Sequence, residues 1–229
     1  MEPVADVAPS VLPVTQPHES PISAAALRAK RENIRLAYRE LNQPAVVVHL
    51  SEEFLKLDPV DGVVWFWYGH RLADLARCEE AATALQTARG LVTRDDIRSL
   101  VLTTQGDLER NRGRLAEAEA YYREATECEG CGDLPWVALG RLHFVQGAFA
   151  AAERCFRAAI EHPDRFPATA LFELGLVLRA RSSLFEARRV LKQAIALSSH
   201  VEIYEALADV ERVIRLQTRS GRKQKPSSP

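Results

Sequence analysis

Between residues 24 and 217 the apolar residues of the 229-residue chain recur at helical spacing, and the alternating pattern of a strand is nearly absent. The one β-branched run is Val46-Val47-Val48. Glycines and prolines divide the pattern into short segments, each long enough for three or four helical turns. Gly113 and Gly147 fall between such segments, where a left-handed C-cap ends one helix before the next begins. Ser182 and Ala76 take the same place elsewhere, which predicts a differently made turn there. The pattern predicts an all-α chain of paired helices.

The pairs repeat. Aligned on Gly69, Gly106, Gly140 and Gly175, the segments have periods of 37, 34 and 35 residues. Twelve residues after each glycine stands an alanine: Ala81, Ala118, Ala152, Ala187. Four further on is a large residue (Leu85, Tyr122, Phe156, Leu191), and three beyond that an alanine again (Ala88, Ala125, Ala159, Ala194). Four before each glycine is Trp65, Leu102, Trp136 or Leu171. A fixed period of this size marks a stack of supersecondary units, each burying its apolar face on its neighbours. Small residues let two helices approach, and large ones interdigitate around the contact.

This spacing resembles the tetratricopeptide repeat, W-x2-L-G-x2-Y followed by A-x3-F and a further A. The third copy, Trp136-x2-Leu139-Gly140 with Ala152-x3-Phe156 and Ala159, is nearest to it. The resemblance implies a right-handed α-solenoid of about five antiparallel helix pairs with a C-terminal capping helix. Clear repeats fall at about 62–95, 99–132, 133–167 and 168–200, after a degenerate repeat at 24–59. The cap at 201–217 carries Tyr204, Leu207 and Ala208 in the register of Trp, Leu and Gly. The second copy departs from the pattern, with Gln105 and Glu109 at apolar positions. His143 replaces an aromatic in the third, and Pro163 is the nearest survivor of the closing proline.

In this family the first helix of each pair lines a concave face. Carried onto this sequence, the ligand-facing positions are Phe66, Trp67, His70 and Asp74, then Thr103, Asp107, Arg110 and Asn111. They continue with Val137, Arg141 and Phe144, then Phe172, Leu176 and Arg179. Aromatic residues with arginine are typical interface anchors. The resemblance thus implies a protein-interaction scaffold or adaptor holding a peptide or helix of a partner, with Arg110, Arg141 and Arg179 meeting acidic side chains. Some members clamp a C-terminal carboxylate with Lys, Asn and Arg. The corresponding positions, Phe66, His70, Thr104, Leu134 and Ala138, hold none of these and argue against that ligand. The alternative is a structural subunit of a larger or self-associated assembly that uses convex or terminal surfaces.

Charge changes the picture only at the ends. The net charge is −1, giving no field that points to nucleic acid or membrane. Residues 1–23 contain Glu2, Asp6 and Glu19, no Lys or Arg, and five of the twelve prolines, and read as a disordered leader. Residues 218–229 read as a basic disordered tail. Met-Glu at the start and the early prolines do not form a secretory signal, and no apolar stretch approaches the ~20 residues that span a bilayer. A cytoplasmic location is the expectation.

Little in the sequence points to chemistry. Cys128-x2-Cys131, with Cys155 and His162, has part of a zinc pattern, but a second CxxC is missing. Cys128 and Cys78 stand where sister repeats carry leucine or phenylalanine, which makes them small core residues, so a metal or thiol sensor is a lesser alternative to the scaffold reading. His70 and Asp74 form an i, i+4 pair without a nucleophile, and no phosphate-binding, dinucleotide, serine-hydrolase or zinc-protease motif is present. No cofactor and no enzymatic activity are expected.

Overall fold

The structure, a computed structural model, describes residues 22–41, 43–162 and 167–223, with side chains through Thr218. Most of the expected leader, Pro163 and the chain from residue 224 lie outside the described residues. Eleven helices follow one another: α1 Ala24–Glu40, α2 Pro44–Leu55, α3 Gly62–Asp74, α4 Cys78–Leu91, α5 Asp95–Asn111 and α6 Leu115–Glu127. The series continues with α7 Leu134–Val145, α8 Phe149–Glu161, α9 Pro167–Ala180, α10 Leu184–Leu197 and α11 Val201–Lys223. There is no strand among the described residues, and Val46–Val48 lies inside α2.

The repeat register becomes packing at one recurrent crossing. A Cβ placed on Gly106 would lie 2.5 Å from the Tyr122 ring, one on Gly140 2.7 Å from Phe156, and one on Gly175 2.5 Å from Leu191. Gly69 meets Leu85 at 2.9 Å in the same way. The missing side chain is therefore filled by the large residue sixteen positions on. The alanines at both aligned positions are fully buried beside it, each 0% exposed. A side chain at any of these glycines would overpack the crossing, at a cost of about 1–3 kcal/mol.

The turn inside each clear repeat is one motif made four times. Gly113 and Gly147 have φ of 78° and 75°, and Ala76 and Ser182 adopt the same left-handed conformation at 57° and 62°. The sequence-based expectation of a different turn at Ala76 and Ser182 is thus corrected. The reason lies in the hydrogen bonds. Arg77 N donates to Leu72 O at 2.9 Å, Arg114 N to Glu109 O at 2.9 Å, Ala148 N to His143 O at 2.9 Å, and Ser183 N to Leu178 O at 2.8 Å. This six-to-one closure satisfies the helix end whatever residue sits in the left-handed place, and a Cβ costs only about 1–2 kcal/mol there.

Each helix packs on the next in sequence. Odd-numbered helices also touch the following odd-numbered helix, while no two even-numbered helices approach one another among the described residues. The odd helices are therefore the inner layer of the stack and the even helices the outer. At the entry to α3, Asp61 caps the helix, accepting from Val63 N at 3.0 Å and Val64 N at 3.1 Å.

The departures in the second repeat are accommodated rather than disruptive. Glu109 accepts from Arg112 at 3.1 Å and from Arg114, tying the helix end to its turn. Gln105 is buried and reaches Gln86 only at 3.5 Å, leaving its Oε1 without a partner among the described residues.

The last helix differs from its expected outline. α11 runs to Lys223, six residues past 217, because no proline intervenes before Pro226. It buries Ile203 and Val210 against the stack, whereas Tyr204 and Ala208 are exposed. Those two positions would meet the second helix of a pair, and no such helix is present among the described residues.

Candidate groove on the inner layer

The inner ends of α1, α3, α5 and α7 enclose a cavity of about 780 Å³. α1 contributes Arg35, Tyr38 and Arg39, and α3 contributes Phe66, Trp67 and His70. α5 adds Ile97, Thr103, Asp107 and Arg110, α7 adds Val137 and Arg141, and Arg94 stands at the rim. Among the lining residues five are arginines and one, Asp107, is a carboxylate.

The floor is aromatic. Tyr38 stacks on Trp67 with ring centres 5.8 Å apart and meets the edge of His70 at 5.6 Å; Phe66 meets His70 at 6.0 Å. The Arg71 guanidinium lies 4.4 Å from the Tyr38 ring centre, and Arg31 lies 5.7 Å from that of Trp67. Phe66 and Trp67 belong mainly to the core, being 4% and 8% exposed. What they offer a ligand is a ring edge, not a whole side chain.

Burial pushes the Tyr38 hydroxyl up to about 12, so it remains a neutral donor and acceptor. Burial also lowers the His70 pKa, against the pull of Asp74 3.7 Å away, which favours the neutral ring. Tyr122, the large residue opposite Gly106, extends its hydroxyl to Asp107 at 2.8 Å. Its own ionisation is suppressed by burial and then by that carboxylate. The repeat core and the groove are thus joined through one hydrogen bond.

The arginines are not equivalent. Arg39 has no ion pair among the described residues. Arg110 pairs with Asp107 of its own helix at 3.2 Å. Arg141 reaches across to Glu173 of α9 at 2.6 Å, and Arg179 of α9 pairs likewise with Asp209 of α11. These are half-exposed pairs worth at most about 1 kcal/mol, and a guanidinium with five donors retains some for a second carboxylate.

Of the positions named from sequence, the cavity brings together Phe66, Trp67, His70, Thr103, Asp107, Arg110, Val137 and Arg141. It does not include Asp74, which pairs with Arg71 at 2.7 Å, or Asn111, exposed at the end of α5. Phe144 packs on Phe149 with ring centres 5.6 Å apart. Phe172 lines a separate cleft of about 640 Å³ with Pro167, Leu197 and Ile203, Arg179 is held by Asp209, and Leu176 lies outside both hollows. Sequence reasoning missed Arg35, Tyr38, Arg39 and Arg94. Extending the inner-helix register to the degenerate first repeat would have found the three on α1.

Cys128, Cys131 and His162 do border one hollow, of about 380 Å³. Cys78, Cys128 and Cys155 are free thiols. Burial raises the Cys128 and Cys155 pKa values, which suppresses the reactive thiolate. Among the described residues no group of three or more His, Cys, Asp or Glu side chains is placed to hold a metal ion. No described helix is long and apolar enough to cross a membrane.

Stacked helical hairpins with an inner and an outer layer define the class of α-solenoid repeat proteins. Two tetratricopeptide-repeat family models match the chain, one over residues 137–202 and one over 101–128. The chain is a tetratricopeptide-repeat protein. No curated protein matches it in sequence. Among solved structures it is similar to the APC/C hetero-tetramer Cut9–Hcn1, at 19% identity and a TM-score of 0.65. That match covers 82% of this chain and 40% of the other, so the chain spans well under half of that relative. It is also similar to PilW, a widely conserved type IV pilus biogenesis factor, at 16% identity and a TM-score of 0.66, over 89% of this chain and 97% of that one. A third is YrrB, a tetratricopeptide-repeat protein with an unusual peptide-binding site, at 17% identity and a TM-score of 0.54, over 80% and 90% of the two chains. At these identities the likeness concerns the fold.

Proposed function

We propose that the chain is an interaction scaffold whose inner groove holds an extended, acidic segment of a partner protein. The observation that carries this reading is the lining of the 780 Å³ cavity, where five arginines surround an aromatic floor. Arg39 is in no ion pair among the described residues, and Arg35, Arg94, Arg110 and Arg141, paired with Glu32, Asp96, Asp107 and Glu173, keep further donors. Acidic side chains would take the outward donors of Arg39, Arg110 and Arg141, and an apolar side chain would rest on the edges of Tyr38 and Trp67. Guanidinium–carboxylate contacts are directional and can be bidentate, so they would set register as well as affinity. That YrrB, similar in fold, has a peptide-binding site supports the class of ligand but not its identity.

Affinity capture from a lysate of the source organism tests this, using wild type and the triple variant Arg39→Ala, Arg110→Ala, Arg141→Ala. These side chains contribute little to the core, so the variant stays folded by circular dichroism. A partner held by wild type and lost from the variant supports the groove. Equal capture by both contradicts it.

A second reading has its own observation. Leu197, Val201, Tyr204 and Leu216 are about half exposed or more around the open end of the stack. Together with the apolar cleft between α9 and α11, they favour a role as a subunit that docks through its terminal surface. Sedimentation of the purified chain tests it, since self-association should fall when Tyr204 and Leu216 are changed to serine.

A further inference from the structure

Resting on the groove reading, we infer that the groove's resident ligand is the chain's own leader, residues 1–21, which a partner must displace. Charge is the first argument. The leader holds Glu2, Asp6 and Glu19 with no Lys or Arg. Of the five arginines lining the groove, Arg39 is in no ion pair among the described residues, while Arg35, Arg94, Arg110 and Arg141 each pair with one carboxylate and keep donors for a second. Between the acids stand Val4, Val7, Val11, Leu12 and Val14, suited to the edges of Tyr38, Phe66 and Trp67.

Backbone chemistry is the second. Prolines at 3, 9, 13, 17 and 21 exclude a helix and favour an extended chain whose ordering costs less entropy than that of a flexible one. Reach is the third. The leader joins the solenoid at Ser23, the N-cap of α1, and α1 itself supplies one wall of the groove. Arg35 is twelve residues along that helix, about 18 Å from the attachment point. Twenty-one extended residues reach roughly 65 Å, enough to fold back and cross from α1 to α7. Tethering at that distance gives an effective concentration on the order of millimolar, so even a weak contact is populated. The leader then acts as a threshold, because a partner's apparent affinity is reduced by the fraction of open groove. The basic C-terminal segment, with Arg215, Arg219, Arg222, Lys223 and Lys225, is the competing site for an acidic leader, and α11, which carries it as far as Lys223, packs on α9 and α10 and not on α1.

Photo-crosslinking in the full chain tests this. Val7 is replaced by benzoylphenylalanine, and crosslinks in the monomeric fraction are mapped by mass spectrometry. They are expected on Tyr38, Phe66–His70 and Ile97–Thr104, with a yield at least fivefold lower when Glu2, Asp6 and Glu19 are all changed to Lys. Crosslinks concentrated on 215–223 or on the even-numbered helices would overturn the proposal, as would an unchanged yield after charge reversal. A second measurement titrates a labelled synthetic peptide of residues 1–21 with full chains. The charge-reversed chain should bind it at least tenfold more tightly than wild type, and Arg110→Ala with Arg141→Ala in that background should abolish the gain. Equal binding by the two chains overturns the leader's role. If the peptide binds neither chain while a captured partner still depends on Arg110 and Arg141, the leader claim fails and the groove stands. If that dependence is also absent, both fail.

Discussion

The two halves of the solenoid share a scaffold and differ in what they leave open. From α1 to α7 the inner layer encloses a basic cavity over an aromatic floor, with Arg39 in no ion pair among the described residues and Arg110 tied only to its own helix. Arg141, at the groove's far wall, already reaches across to Glu173 of α9, and beyond it Arg179 of α9 is tied to Asp209 of α11 and the open hollow is apolar. The same repeat crossing, with glycine facing the residue sixteen places on, underlies both. In a repeat stack the core residues therefore decide that helices pair, while inner-face residues free to vary decide whether a face is cross-linked or available.

This comparison can be broken or sharpened by substitution. The largest effect is expected at the shared crossing. Phe156→Ala should cost about 3–5 kcal/mol, and Leu85→Ala about 2–5, measured by urea denaturation. Similar losses from the two halves would confirm a common scaffold, whereas a much smaller loss at either site would mean that half is loosely packed.

Next comes the functional asymmetry. Arg39→Ala, Arg110→Ala and Arg141→Ala together should weaken partner binding at least tenfold while changing stability by less than about 1 kcal/mol. Arg179→Ala should leave binding unchanged. Loss of binding from Arg179→Ala alone would move the site into the C-terminal half.

A smaller effect is expected at the turns. Ala76→Gly in one half and Ser182→Gly in the other should each stabilise by about 0.5–1 kcal/mol, because relief of the left-handed strain exceeds the added chain entropy. Thermal melts check this.

The smallest concerns His70. Its native pKa is lowered by burial, so the native state binds its proton less readily than the unfolded chain does. Stability from this group is complete above the ordinary histidine range and falls as pH drops through it toward the lowered native value. Melts at pH 7 and pH 5 should differ more for wild type than for His70→Asn. No difference between the two would show that the ring is freely solvated.

The fold was legible in the sequence because the repeat crossing demands glycine, alanine and a large residue at fixed places, and all four copies supply them. The turns at Ala76 and Ser182 were not, because left-handed backbone closed by a six-to-one hydrogen bond leaves no composition signal when glycine is absent. The groove was half legible. Register alone places a residue on the inner helix, but Phe144 turns to Phe149 and Arg179 is taken by Asp209, choices made by neighbours distant in sequence. Arg35, Tyr38 and Arg39 escaped because the first repeat lacks the glycine on which the others align.

The most direct test of the central claim is amide hydrogen exchange on the complex with a captured partner. Added protection on the inner helices α1, α3, α5 and α7, with α9 to α11 and the outer helices unchanged, is the predicted result. Protection concentrated on α9 and α11, or on the even-numbered helices, would contradict it.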